Sequence, residues 1–149
     1  MAARGAVLLL VEDDPNDVLF MCRALKKAQI RQTIRVASDG EAAIDYLQGS
    51  GIYGDRTRYP FPCLVLLDVK LPKKSGLEVL RWLRSHPEHK DLPVVMLTSS
   101  GQQEDRDEAT RHGIEAYQVK PLSFDALVRL ANEIREEADD HCESAEESR

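Results

Sequence analysis

Five short apolar runs recur along this chain, each about the length of one strand: Val7–Val11, Thr33–Ala37, Cys63–Leu67, Pro93–Leu97 and Ala116–Val119. Between them the apolar residues change period. Val18, Cys22 and Leu25 recur at helical spacing, as do Ala42, Ala43, Ile44 and Leu47, and then Leu77, Leu80, Trp82 and Leu83. A very polar helix is predicted over about 104–112. Phe124, Leu127, Ala131, Ile134 and Ala138 share one face of a last helix capped by Ser123. Strand and helix patterns alternating at this spacing predict an α/β architecture of the (βα)5 kind. Its strands are parallel, its crossovers right-handed, and helices cover both faces of an open sheet. Cys63–Leu67 is the most apolar run, as a central strand buried on both faces requires. In such a sheet the functional cleft lies at the carboxyl ends of the strands.

What the strands deliver to that edge is polar. The first run passes directly into Glu12, Asp13 and Asp14, followed by Pro15. Three adjacent carboxylates repel one another and call for a cation; hard oxygen ligands suit magnesium. Asp14 reads as the cap of a helix that Pro15 begins, with Asp17 in its first turn. The third run delivers Asp68, the fourth Thr98 and the fifth Lys120. Asp13 and Asp68 suit a magnesium ion, with Glu12 acting through water and a backbone carbonyl after Asp68 completing the shell. Lys120 is placed to pair with Asp68 and then with an anion carried by it, to which Thr98 can donate a hydrogen bond. This is machinery for a carboxylate that accepts a phosphoryl group. The aspartate is the nucleophile, and metal and lysine neutralise charge on the transferred oxygens.

Composition excludes several classes. The chain has 149 residues, enough for one domain with a real core, and a net charge of −6. From Glu133 to Arg149 there are eight acids and two basic residues, so the whole imbalance lies in the C-terminal stretch. No basic footprint for nucleic acid is present. No apolar run approaches the roughly 20 residues of a membrane span, and the N-terminus does not read as a signal peptide. Cys22, Cys63 and Cys142 are odd in number, far apart and without a C-x-x-C pair. Cys22 and Cys63, set among apolar residues, read as small buried hydrophobes, and the protein as reduced and cytoplasmic. Residues 49–62 hold three glycines, two prolines and two arginines, a surface loop longer than usual between a helix and a strand. It is either an inert insertion or a contact surface.

The acids after Leu8-Leu9-Leu10-Val11 stand in order with three further motifs. These are Leu66-Leu67-Asp68-x-x-Leu71-Pro72-x-x-x-Gly76, Leu97-Thr98, and Tyr117-x-x-Lys120-Pro121. In this combination, over about Val7 to Ala138, the chain resembles a response-regulator receiver domain, the phosphoacceptor half of two-component signalling. The resemblance implies a flavodoxin-like, doubly wound five-stranded parallel sheet with strand order 2-1-3-4-5. It implies that Asp68 is the phosphorylated residue. Glu12 and Asp13 are then the acidic pair serving Mg2+, with the carbonyl of Lys70 as backbone ligand. Thr98 is the switch hydroxyl, Tyr117 the switch aromatic that turns inward with it, and Lys120 the bridging lysine, with a cis peptide before Pro121. Lys70 and Ser100 flank the phosphoryl group and would modulate its lifetime.

The same resemblance implies a sensor histidine kinase as partner. It also implies no enzymatic activity beyond the protein's own phosphotransfer and dephosphorylation. The receiver spans 1–140, with an acidic disordered tail over 141–149 and no output domain after it. Signalling then runs through the surface of the fourth helix, fifth strand and fifth helix. The long loop and the lack of an output domain resemble single-domain regulators paired with bacterial and cyanobacterial phytochrome kinases. Those relatives form homodimers through the last strand and helix. Leu130 either widens that surface or rims the core.

Two other classes share parts of the pattern. Haloacid-dehalogenase-type phosphatases also place a nucleophilic aspartate at a strand end, but with a second aspartate two residues on, where this chain has Lys70. A flavodoxin-like cofactor binder would carry a glycine- and hydroxyl-rich loop after the first strand, where this chain is acidic.

Overall fold

The computed structural model describes residues 6–98 and 103–142. Five parallel strands alternate with five α-helices: β1 Val7–Val11, α1 Pro15–Lys27, β2 Thr33–Ala37, α2 Gly40–Gln48, β3 Leu64–Asp68, α3 Gly76–Ser85, β4 Val94–Thr98, α4 Gln103–Arg111, β5 Ala116–Val119 and α5 Phe124–His141. The sheet order is β2-β1-β3-β4-β5, the expected one. The helix starts follow the local chemistry. Asp14 accepts from the Asn16 amide at 2.8 Å, Asp39 from Ala42 at 2.7 Å and Ser123 from Ala126 at 3.2 Å. Ser75 and Glu78 close a reciprocal capping box at α3.

Strand register places the site. Val11 lies beside Leu67, Asp68 beside Leu97 and Thr98 beside Val119. Glu12, Asp68, Thr98 and Lys120 therefore reach the same edge of the sheet. Alternate residues of the central strands face opposite cores. Leu9, Val11, Val65, Leu67 and Met96 pack with Ala43, Leu47, Val79, Leu80 and Leu83 of α2 and α3. Leu8, Leu10, Leu64, Leu66 and Val95 pack with Met21, Ala24 and Leu25 of α1 and Ala131 and Ile134 of α5. Each fully buried leucine contributes about 1.5–3 kcal/mol, which holds the edge residues on a rigid frame. Leu130 is buried at the edge of this second core.

The 49–62 segment is built rather than loose. A 3-10 turn spans Gly51–Gly54. The Arg56 guanidinium donates to the carbonyls of Tyr46, Leu47 and Tyr59 at 2.8, 2.9 and 3.2 Å, closing the end of α2. Tyr46, Tyr53 and Tyr59 pack ring against ring, with centroids 5.0 to 6.2 Å apart.

Three expectations are corrected. Cys63 is not an independent buried thiol: it forms a disulfide with Cys142, their Cα atoms 5.3 Å apart across 79 residues of sequence. Their separation in sequence hid that the last turn of α5 returns to the start of β3. Only Cys22 is a free, partly buried cysteine. Next, order does not stop at residue 140: α5 runs to His141, because Ala138 is still a core residue and Cys142 is tied down. Third, no cis peptide bond occurs among the described residues, so Lys120–Pro121 is trans, the form favoured by about 0.5–1 kcal/mol before proline. Ser100 and residues 143–149, most of the expected tail, lie outside the described residues. No helix among the described residues is long and apolar enough to cross a membrane.

Candidate phosphoacceptor and metal site

Glu12 follows β1 and Asp68 ends β3, both buried. Between them sits the Lys120 ammonium, brought over from the end of β5. It bonds to Glu12 Oε1, to Asp68 Oδ2 at 2.8 Å and to Asp17 Oδ2 at 3.2 Å. The turn that delivers it is held by the Lys120 amide donating to the Thr98 carbonyl at 2.6 Å. Burial alone would lower the lysine's pKa, but hydrogen bonds and charge from Asp68 and Glu12 outweigh that and raise it. Lys120 is therefore a fixed cation in the physiological range. Burial pushes the Glu12 carboxyl up to about 7; the Lys120 bond and the Asp14 amide oppose that shift, and the Asp68 charge adds to it. Two buried carboxylates beside one lysine leave an excess of negative charge that a cation would relieve.

Asp13 is exposed on the same edge, and Glu12, Asp13 and Asp68 each offer an oxygen within 4.8 Å of the others. An all-oxygen, acidic donor set fits a hard divalent ion. Asp68 Oδ1 accepts from the Lys70 amide at 3.3 Å, which orients the carboxylate. The Lys70 side chain is exposed. Asp14 caps α1, as expected. Thr98 is fully buried one strand away from Asp68. Tyr117 is also buried, with the Arg106 guanidinium 4.9 Å over its ring and its hydroxyl without a hydrogen-bond partner among the described residues. Burial and the nearby Asp105 charge push its phenol up.

Sequence reasoning placed Asp17 only as a first-turn acid. The structure adds its carboxylate to the Lys120 cluster, because the first turn of α1 starts at the same sheet edge. Gly76 proves equally constrained. A Cβ there would lie 2.0 Å from the Asp68 carbonyl oxygen and 2.9 Å from Val69 Cα. Any side chain must push the end of β3, and with it Asp68, out of place. Gly76→Ala is expected to cost about 1–3 kcal/mol in a urea titration, the usual range for overpacking, and to slow phosphoryl uptake. An unchanged midpoint would show that the 68–76 turn yields freely.

The response regulator receiver domain model matches residues 8–132. The chain belongs to this family. The receiver is similar over 133 residues, at 36% identity, to the probable methanogenesis regulatory protein FilR2 of Methanothrix harundinacea, covering 87% of this chain and 81% of that protein. It is 35% identical over 128 residues to the response regulator Rcp1 of Synechocystis sp., covering 86% of this chain and 85% of Rcp1. The Mn2+-bound structure of Rcp1 superposes with a TM-score of 0.77 over 86% of this chain and 90% of that one. The phosphorylated cyanobacterial phytochrome response regulator RcpA superposes with a TM-score of 0.80 at 31% identity, over 90% and 93% of the two chains. The receiver is thus homologous to phytochrome response regulators.

Proposed function

We propose that this receiver takes a phosphoryl group onto Asp68 from the phosphohistidine of a sensor histidine kinase, one of the phytochrome type. The observation that carries the reading is the Lys120 ammonium held between buried Glu12 and Asp68 at the carboxyl edge of the sheet. An Asp68 oxygen attacks phosphorus as the bond from phosphorus to the histidine nitrogen breaks, leaving an aspartyl phosphate and a free imidazole. Lys120 then follows its anionic partner onto the phosphoryl oxygens. Glu12, Asp13, Asp68 and the Lys70 carbonyl would hold Mg2+, which supplies positive charge opposite those oxygens when bound. Rcp1, similar to this chain, has been seen with Mn2+, and RcpA with a phosphoryl group; both support the reading.

A pocket of about 360 Å3 opens beside Glu12, Asp17 and Lys120, and the exposed Phe20, Leu122 and Phe124 line it. That apolar rim offers a phosphodonor protein a surface next to the acceptor. Thr98 and Tyr117 carry the response towards α4, β5 and α5. Tyr117 supports this role because its buried hydroxyl lacks a partner among the described residues and a second arrangement could supply one. β5 is an edge strand of the sheet, which supports pairing of two copies through β5 and α5. No nucleic-acid partner is proposed.

Incubation with acetyl phosphate and Mg2+, followed by intact mass measurement, tests the acceptor. A single phosphoryl adduct is expected, not formed when chelator replaces Mg2+ and absent from Asp68→Ala. Sustained hydrolysis of phosphate esters without an adduct would instead favour a phosphatase, although Lys70 stands where those enzymes need an acid/base aspartate. Followed over time, the same adduct reports lifetime. Lys70 and Ser100 are proposed to tune it, and an unchanged decay rate in Lys70→Ala would remove Lys70 from that role.

A further inference from the structure

We propose that Glu115, Glu137 and His141 form a binding site for a divalent transition metal of the zinc class, separate from the acidic edge around Asp68. Glu137 and His141 are one turn apart on α5, so both side chains project from the same face. Glu115 comes from the residue ahead of β5, where its amide donates to the Val94 carbonyl at 2.8 Å and fixes the backbone. His141 Nε2 lies 3.5 Å from Glu137 Oε2 and 3.7 Å from Glu115 Oε2, and the three candidate ligand atoms all fall within 4.8 Å of one another.

Those spacings suit one central ion. Zinc bonds of about 2.0–2.2 Å in tetrahedral geometry separate neighbouring ligand atoms by roughly 3.3–3.6 Å. The His141–Glu137 distance lies in that range and the His141–Glu115 distance just above it. Imidazole nitrogen and carboxylate oxygen are both zinc ligands, and three protein ligands leave a fourth position open. Magnesium, which prefers an all-oxygen octahedral shell, is poorly served by an imidazole.

Preorganisation is a second, separate observation. A helix end ordinarily frays, and a ligand on it would have to be ordered on binding. Here the residue after His141 is Cys142, tied through its disulfide to Cys63 beside β3. The side chains of His141, Glu137 and Glu115 are partly exposed, at 29%, 33% and 39%, so an ion can reach them without the core opening. Without metal, this partly solvated contact is worth little. A bound ion would replace it with a staple joining the last turn of α5 to the entry of β5.

The test uses the full chain, kept oxidised, stripped with chelator and then titrated with ZnCl2 in excess Mg2+ by calorimetry. Co2+ is the spectroscopic probe. The expected result is a single Zn2+ site that excess Mg2+ does not displace, with a Co2+ visible band of four-coordinate type. Affinity should fall about tenfold or more in both Glu137→Gln and His141→Ala, as lost ligands require. It should survive in Asp13→Asn and in Cys22→Ser. Thermal melts without metal check that each variant is folded. Absence of zinc binding overturns the proposal. So does zinc displaced by Mg2+ or lost in Asp13→Asn, which would put the ion at the acidic edge. Equal binding by folded His141→Ala and wild type has the same force.

Discussion

Lys120→Met is expected to lose about 3 kcal/mol of metal-free stability, the low end of what breaking a buried ion pair costs, and to end productive phosphotransfer. Removing the ammonium leaves Glu12, Asp68 and Asp17 facing one another, the first two buried. The loss stays at the low end because Glu12 can take up a proton. In the wild type burial has already pushed that carboxyl from 4.5 to about 7. A carboxyl raised on folding contributes stability that is complete below its unfolded value and disappears as pH rises through the folded value. Without Lys120 to hold it down, the Glu12 carboxyl goes higher still. The gap between variant and wild type should therefore widen from about pH 6 to pH 8. Lys120 itself, raised on folding, contributes fully below its unfolded value of 10.5 and does not blur this window. Millimolar Mg2+ should narrow the gap by binding the folded acids. Thermal melts would show a drop of roughly 6–12 °C at neutral pH. A variant as stable as wild type at high pH, without metal, would falsify the view that Lys120 neutralises this edge.

Cys142→Ser has the second large effect, an expected loss of about 2–4 kcal/mol. The cross-link closes a loop of 79 residues, and a chain so constrained loses less entropy on folding. The bond also holds the end of α5 against the α1 side of the core, where Ala138 and Ile134 are buried. Cys142 is the better position to change, because Cys63 is fully buried and its serine would place a hydroxyl in the core. Denaturation of the wild type with and without reductant, beside the variant, separates the contributions. Reductant should move the wild type towards Cys142→Ser and leave the variant unmoved. Equal midpoints for oxidised and reduced wild type would show that the bond adds nothing to stability. The zinc staple can be distinguished here, since a zinc-induced rise in melting temperature should be smaller once the end of α5 is released.

Much of the architecture was legible from local chemistry. The limits of β1, β2 and β5 coincide with their apolar runs, and Asp14, Asp39 and Ser123 cap helices where short polar side chains precede helical periods. β3 and β4 are shifted by one residue, because Asp68 and Thr98 continue their ladders although they are polar. Asp68, Thr98 and Lys120 were readable as candidates because parallel strands deliver their carboxyl ends to one side, a rule that needs no coordinates. The packing of residues 49–62 was not readable, since it depends on Arg56 reaching carbonyls of α2 that no spacing marks.

By itself the sequence determined the strand count, the helix caps and the set of acids, hydroxyl and lysine sent to one edge, because hydrophobic period and capping act over a few residues. Tertiary structure alone decided which of those groups touch. Register set Glu12 beside Asp68, and the β5 turn drove Lys120 between them. The return of α5 joined Cys142 to Cys63 and brought Glu115 to His141. These are contacts between residues far apart in sequence. Their partners are chosen by how whole layers pack, and local patterns carry no record of that choice.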